Sequence, residues 1–183
     1  MIMNFSATST TLVLIDIQEK LLRAVPALEP FMPRIEMMLE AAAAMNMDVI
    51  VTEQYPRGLG NTVSNLKERC QAQWPVIEKT SFSCWGEPEF RKTLRQSPKK
   101  TVVLMGIESH VCVFQTAIDL LDEGYAVVVL NDAVASRSEH DRATALELMR
   151  AKGIWVMSTE MLLFSCLGSA GHPDFKTVSK LIK

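Results

Sequence analysis

The stretch GIESHVCV (106–113) sets a cysteine just beyond the end of an apolar run. A cysteine there is either a small apolar filler or a nucleophile, and its helical phase bears on the choice. The segment that follows carries a stripe of Val111, Phe114, Ile118 and Leu121. Cys112 lies about 100° round from Val111 on an ideal helix. Its own-face neighbours are Gln115, Thr116 and Asp119, so it falls off the core stripe. Ser109 is a candidate N-cap, which would put Cys112 in a first turn. The free N–H groups and partial positive charge there favour thiolate over thiol and could receive an oxyanion. Spacing alone leaves both readings open. Asp16 and Lys79 each end another apolar run. Alone, Asp16 reads equally as a loop cap and Lys79 as a solvated lysine. An acid, an amine and a thiol together say more. Cys70, Cys84 and Cys166 lack such a setting and read as structural.

The runs that carry these residues are TLVLIDIQ (11–18), DVIVTEQ (48–54), TVVLMGI (101–107), YAVVVLND (125–132) and IWVMS (154–158), with PVIEK (75–79) a weaker sixth. Runs that are apolar on both faces predict strands covered on both faces, as in a parallel sheet flanked by helices. Helical patterns fill the gaps, at 34–45, 111–123 and 138–152, the last stopped by Gly153. The alternation predicts one α/β domain over 1–183, with three layers and a six-stranded parallel sheet. Ligands of such sheets bind beyond the carboxyl ends of the strands, which is where Asp16, Lys79 and Cys112 fall. YPRGLGNTVSN (55–65) reads as a long surface loop.

The 183 residues are 48% hydrophobic with a formal charge of −2 and no basic run longer than Lys99–Lys100, which argues against nucleic acid as a partner. The four cysteines form neither a C-x-x-C pair nor a zinc spacing, so free thiols in a reducing, cytoplasmic setting are expected. MIMNFSATST has no basic residue and no long apolar stretch, unlike a leader. No apolar run approaches the roughly 20 residues of a membrane span. No phosphate-binding glycine motif occurs, and no cofactor is expected.

LVLIDIQ, EKTSFS and GIESHVCV, in that order, resemble the isochorismatase-like cysteine hydrolases, and NDAVASRS (131–138) looks like the family's stretch after its fifth strand. The resemblance runs over roughly 11–164 and implies a Rossmann-like fold, a small-molecule substrate, and assembly as a dimer or larger oligomer. It also implies a triad of Cys112 as nucleophile, Asp16 as general base and Lys79 beside them. A non-proline cis peptide would join Ile107 and Glu108 and aim backbone N–H groups, with that of Cys112, at an oxyanion. The chemistry is coherent: a thiol of pKa about 8.5 is little ionised at neutral pH, and a carboxylate within reach can take its proton. Attack on an amide would release an amine and leave a thioester for water to hydrolyse.

The sequence departs from some relatives. Nicotinamidases of this family hold a metal through an aspartate and histidines after strand two, whereas TEQYPRGLGN has no histidine, so no metal is expected. That stretch looks instead like the isochorismatase-domain hydrolase subgroup. Some siderophore-linked members lack the cysteine and cleave a vinyl ether; this chain keeps it. Phe82 and Trp85 are candidate pocket walls, with ordinary packing as the alternative, and Gln18, Glu53 and Ser109 complete the candidate pocket. The competing readings are a vinyl-ether hydrolase, a silent member serving as an oligomeric interaction module, and a redox-sensing thiol, the last lacking an obvious partner cysteine.

Overall fold

Side chains along a strand alternate between two faces, and in this chain both faces are apolar. Leu12 and Leu14 join one buried cluster while Val13 and Ile15 join another, and Val103 and Met105 alternate with Val102 and Leu104 in the same way. Both faces therefore need helices. A computed structural model of the chain describes residues 5–26 and 30–182. Residues 1–4 of the leader-free N-terminal reading lie outside them.

Six strands form one parallel sheet: β1 (Thr10–Ile15), β2 (Asp48–Gln54), β3 (Val76–Lys79), β4 (Thr101–Ile107), β5 (Ala126–Ala135) and β6 (Trp155–Met157). Their order is β3-β2-β1-β4-β5-β6. Helices α1 (Glu19–Leu22), α2 (Met32–Ala44), α3 (Pro56–Leu59), α4 (Ser64–Lys67), α5 (Pro88–Gln96), α6 (Phe114–Asp122), α7 (Glu139–Ala151), α8 (Thr159–Leu167) and α9 (Phe175–Leu181) occupy the gaps. The result is the three-layer α/β fold that the runs predict, in the Rossmann-like order that the resemblance implies. The chain leaves β1 for opposite sides at β2 and β4, so the strand order reverses there, and the carboxyl ends of these strands frame a crevice.

Several local expectations change. β1 stops at Ile15, short of Gln18, because Asp16 adopts a left-handed conformation, φ 55°. β5 runs on to Ala135 through an irregularity: Leu104 pairs with Val129, but Gly106 pairs with Val134. The 55–65 loop is largely helical, in α3 and the start of α4, and Gln18 bridges to Thr62. Ser109 is no N-cap: a π-helical turn, Ser109–Val113, precedes α6, and the Ser109 hydroxyl instead donates to the Ala135 carbonyl at 3.0 Å. Ser138 does cap α7, accepting from the Asp141 N–H. Helix α8 closes the core with one face, through Leu162, Leu163 and Cys166, and leaves Met161 and Phe164 exposed.

Candidate active site

Asp16 is placed by its backbone. A left-handed turn is tolerated by aspartate and sends the chain off the strand axis. The Asp16 N–H donates to Thr52 O at 3.2 Å, and its carbonyl accepts from Gln18 N at 2.8 Å. Strand parity would put Asp16 on the face of Leu12 and Leu14. Its carboxylate instead meets Thr52, whose hydroxyl donates to Oδ1 at 2.7 Å. Thr52 is in phase with Ile50, which belongs to the opposite face.

Lys79 ends edge strand β3 and follows Ile77 inward in phase. Its Nζ reaches across the end of β2 to Asp16 Oδ2 at 2.7 Å, and neither side chain has any exposure. Gln54 Oε1 at 2.6 Å, Phe82 O at 3.0 Å and Ser81 O at 3.2 Å also surround Nζ. An ammonium has three protons, so Gln54, Phe82 and Ser81 can take all of them, and Asp16 Oδ2 is held as the opposite charge of an ion pair. Burial alone would lower the Lys79 pKa, but the charges of Asp16, Cys84 and Cys112 outweigh it and the pKa is raised. Burial raises the Asp16 pKa above its ordinary 3.8, against the pull of Lys79, Thr52 and Cys112.

Cys112 sits in the π-helical turn, packed in the cluster with Ile15, Cys84 and Val113, close enough to Asp16 for each to shift the other's proton affinity. Burial first, and the Asp16 charge second, push its pKa up to about 12, with Lys79 opposing. The N-terminal setting read from sequence would favour thiolate; the enclosed setting outweighs it. The resting state is a thiol beside a carboxylate that is a stronger base than usual. Cys84 is closer to this centre than its sequence suggests. It is fully buried, its Sγ lies 3.9 Å from Thr52 Oγ1, and its N–H donates to Thr116 Oγ1 at 2.9 Å.

The backbone before the turn is equally constrained. Gly106 has φ 128°, and a Cβ there would collide with the Ile15 backbone. The Ile107–Glu108 peptide is cis. The Glu108 carboxylate accepts from Arg137 N, Nε and Nη2 at 3.0, 3.1 and 3.0 Å.

The other candidate residues are spread more widely. The Gln18 amide is engaged by backbone, with Gln54 N donating to Oε1 and Nε2 donating to the Gln54 and Gly60 carbonyls. Glu53 accepts from Thr62 N, Thr62 Oγ1 and Asn61 Nδ2. Both fasten the 54–62 segment. Phe82 is exposed and contributes its carbonyl to Lys79. Trp85 is buried edge-on to Tyr125 at 5.8 Å, with Arg95 over its face. Thr52 and Cys84 were missed by sequence reasoning. A threonine inside an apolar β-run and a cysteine in a turn carry no local signal. Gln54 could be found only as a polar residue at a strand end. A cleft of about 520 Å³, walled partly by Val25, Phe31 and Asn131, reaches Ala135 and Ser136 beside the Ser109–Val113 turn.

A family model described as Isochorismatase domain matches residues 10–161. Isochorismatase domain-containing protein 2 of Xenopus laevis is 42% identical over 175 residues, covering 95% of this chain and 83% of that protein. A structure described as MAR1 ribonuclease from Caenorhabditis elegans is 38% identical with TM-score 0.93, covering 98% of this chain and 92% of that one. The YcaC gene product of Escherichia coli, described as an octameric hydrolase of unknown specificity, has TM-score 0.92 at 23% identity, covering 98% of this chain and 89% of that one, a likeness of fold.

Proposed function

The chain belongs to the isochorismatase family, whose fold is that of a hydrolase, and on that premise we propose that it is a metal-independent cysteine hydrolase of a small amide-type substrate, with Cys112, Asp16 and Lys79 as its triad. One observation carries the reading: a fully buried carboxylate and ammonium 2.7 Å apart, with the Cys112 thiol buried beside them and under the influence of both charges. Buried charges are costly to keep unless paired, and such clusters concentrate where chemistry is done. The donor set after β2 supports the metal-independent part, since that segment offers no histidine and Glu53 is committed to Asn61 and Thr62.

In this mechanism the Cys112 proton passes to Asp16 as Sγ bonds the carbonyl carbon. Lys79 keeps the Asp16 carboxylate ionised until that moment and balances the charge on sulfur. Backbone N–H groups at the nucleophile turn receive the oxyanion. Collapse breaks the C–N bond, and the amine departs with the proton held by Asp16. Water then loses a proton to Asp16 and attacks the thioester, restoring the thiol and releasing the acid.

The test is turnover of a panel of small amides, with rapid quenching to look for an acyl group on the Cys112 peptide. Amine release with an acylated Cys112 is expected. Asp16→Asn should lower kcat/KM by about 10²–10⁴-fold. No turnover and no acylation would turn attention to the interaction-module reading. Single-stranded RNA belongs in the same panel, given the ribonuclease named among the structural relatives; the chain's net charge of −2 favours the amide.

A further inference from the structure

We infer that Arg137 is a positioning residue for this site, fixing through Glu108 the turn that presents Cys112; the inference rests on the hydrolase reading above.

The geometry begins at the irregularity in β5. Between Val129 and Val134 this strand takes five steps where β4 takes two, from Leu104 to Gly106. The extra length brings the end of β5 back alongside the end of β4, where Ile107 pairs with Ala135. Three successive residues then meet the three that open the nucleophile turn. The Ala135 carbonyl accepts from Ser109 Oγ at 3.0 Å. Ser136 Oγ lies 3.0 Å from His110 Nδ1. Arg137 donates to the Glu108 carboxylate three times, through its own N–H and through two guanidinium nitrogens that form a fork.

Glu108 is gripped at its other end too. Its carbonyl accepts from Val111 N at 3.1 Å and Val113 N at 3.2 Å, the two neighbours of Cys112. One residue thus links the Arg137 fork to the backbone on both sides of the nucleophile. The carboxylate already receives three donors, so holding the turn is the work the geometry gives it. Surface ion pairs usually contribute little to stability, and the Arg137 side chain is 62% exposed. A bidentate fork fixes orientation more than it adds energy. Its worth lies in the angle at which Cys112 faces Asp16, where a displacement of about 1 Å can cost on the order of 10²-fold in rate.

The experiment compares iodoacetamide alkylation of Cys112 and Cys166, mapped by peptide mass, in the wild-type chain, Arg137→Ala and Arg137→Lys. Cys166 is the internal control: it is buried in α8, far along the chain from the turn. In wild type, Cys112 should react faster than Cys166, because Asp16 can take its proton as sulfur attacks whereas burial alone acts on Cys166. Arg137→Ala should slow Cys112 about 10-fold or more with Cys166 and the thermal midpoint unchanged. Arg137→Lys keeps the charge and the backbone N–H but loses the fork, and should recover part of the rate. If Arg137→Ala opens the fold, seen as faster Cys166 labelling, Glu108→Gln carries the same expectation. A fast wild-type Cys112 whose rate is the same in these variants overturns the inference alone. A wild-type Cys112 no faster than Cys166 overturns the hydrolase reading, and the positioning role with it.

Discussion

Asp16 has two opposed demands on its proton affinity. Burial raises its pKa, which makes it a better base, while Lys79 and the Thr52 hydroxyl hold it down so that it is ionised when needed. The sign of a perturbation follows. In the proposed mechanism activity requires ionised Asp16, so the pH–rate profile should have an acid limb above the ordinary carboxylate value of 3.8. Thr52→Val keeps the shape of the side chain but removes a hydrogen bond to the charged form. Losing that bond raises the Asp16 pKa further, so the limb should move to higher pH, and activity measured within the limb should fall. A limb unmoved in Thr52→Val would mean that another group sets it. At this scale the legible residues were those whose chemical type stands out at a strand end: Asp16, Lys79 and Cys112. Thr52 was hidden because a β-branched residue in an apolar run looks like packing, and Cys84 because its neighbours are distant in sequence. Gln18 and Glu53 stand out by type as well, yet the structure spends their hydrogen bonds on the 54–62 segment.

The elements meet most tightly where β4 passes β1. Gly106 pairs opposite Ile15, one residue before the catalytic aspartate in the proposed triad, and has no room for a side chain. Its φ of 128° is also one that side chains rarely adopt. Gly106→Ala must push the two central strands apart or force the backbone to a new conformation. We expect a loss of at least about 3 kcal/mol, read as a large drop in the denaturant midpoint. A change below about 1 kcal/mol would show that the strands separate freely there. The strands themselves were legible as continuous apolar runs, because burial on both faces leaves no alternation. Their ends were less so. A single left-handed residue stopped β1 at Ile15, and extra residues in β5 carried that strand past Asp132, the end of its apolar run.

For the whole molecule, the described residues include no helix long and apolar enough to cross a membrane. Trp155 on edge strand β6, with Met161 and Phe164 on α8, leaves large apolar side chains in solvent, as a surface buried between copies of the chain would. Light scattering should therefore report at least twice the chain mass; a monomer at micromolar concentration would contradict it.

The order of strands and helices, the parallel sheet and the placing of an acid, an amine and a thiol at strand ends follow from the sequence by itself, since periodicity and composition are local properties. Which of those groups touch was decided only by the tertiary structure. Asp16 and Thr52 are 36 positions apart, and Lys79 comes from a strand that is separated from β1 by β2. Their meeting depends on strand order, register and one backbone angle at Asp16. The same enclosure that assembles the three groups pushes the Cys112 pKa up to about 12, because the charge of a buried group depends on everything packed around it.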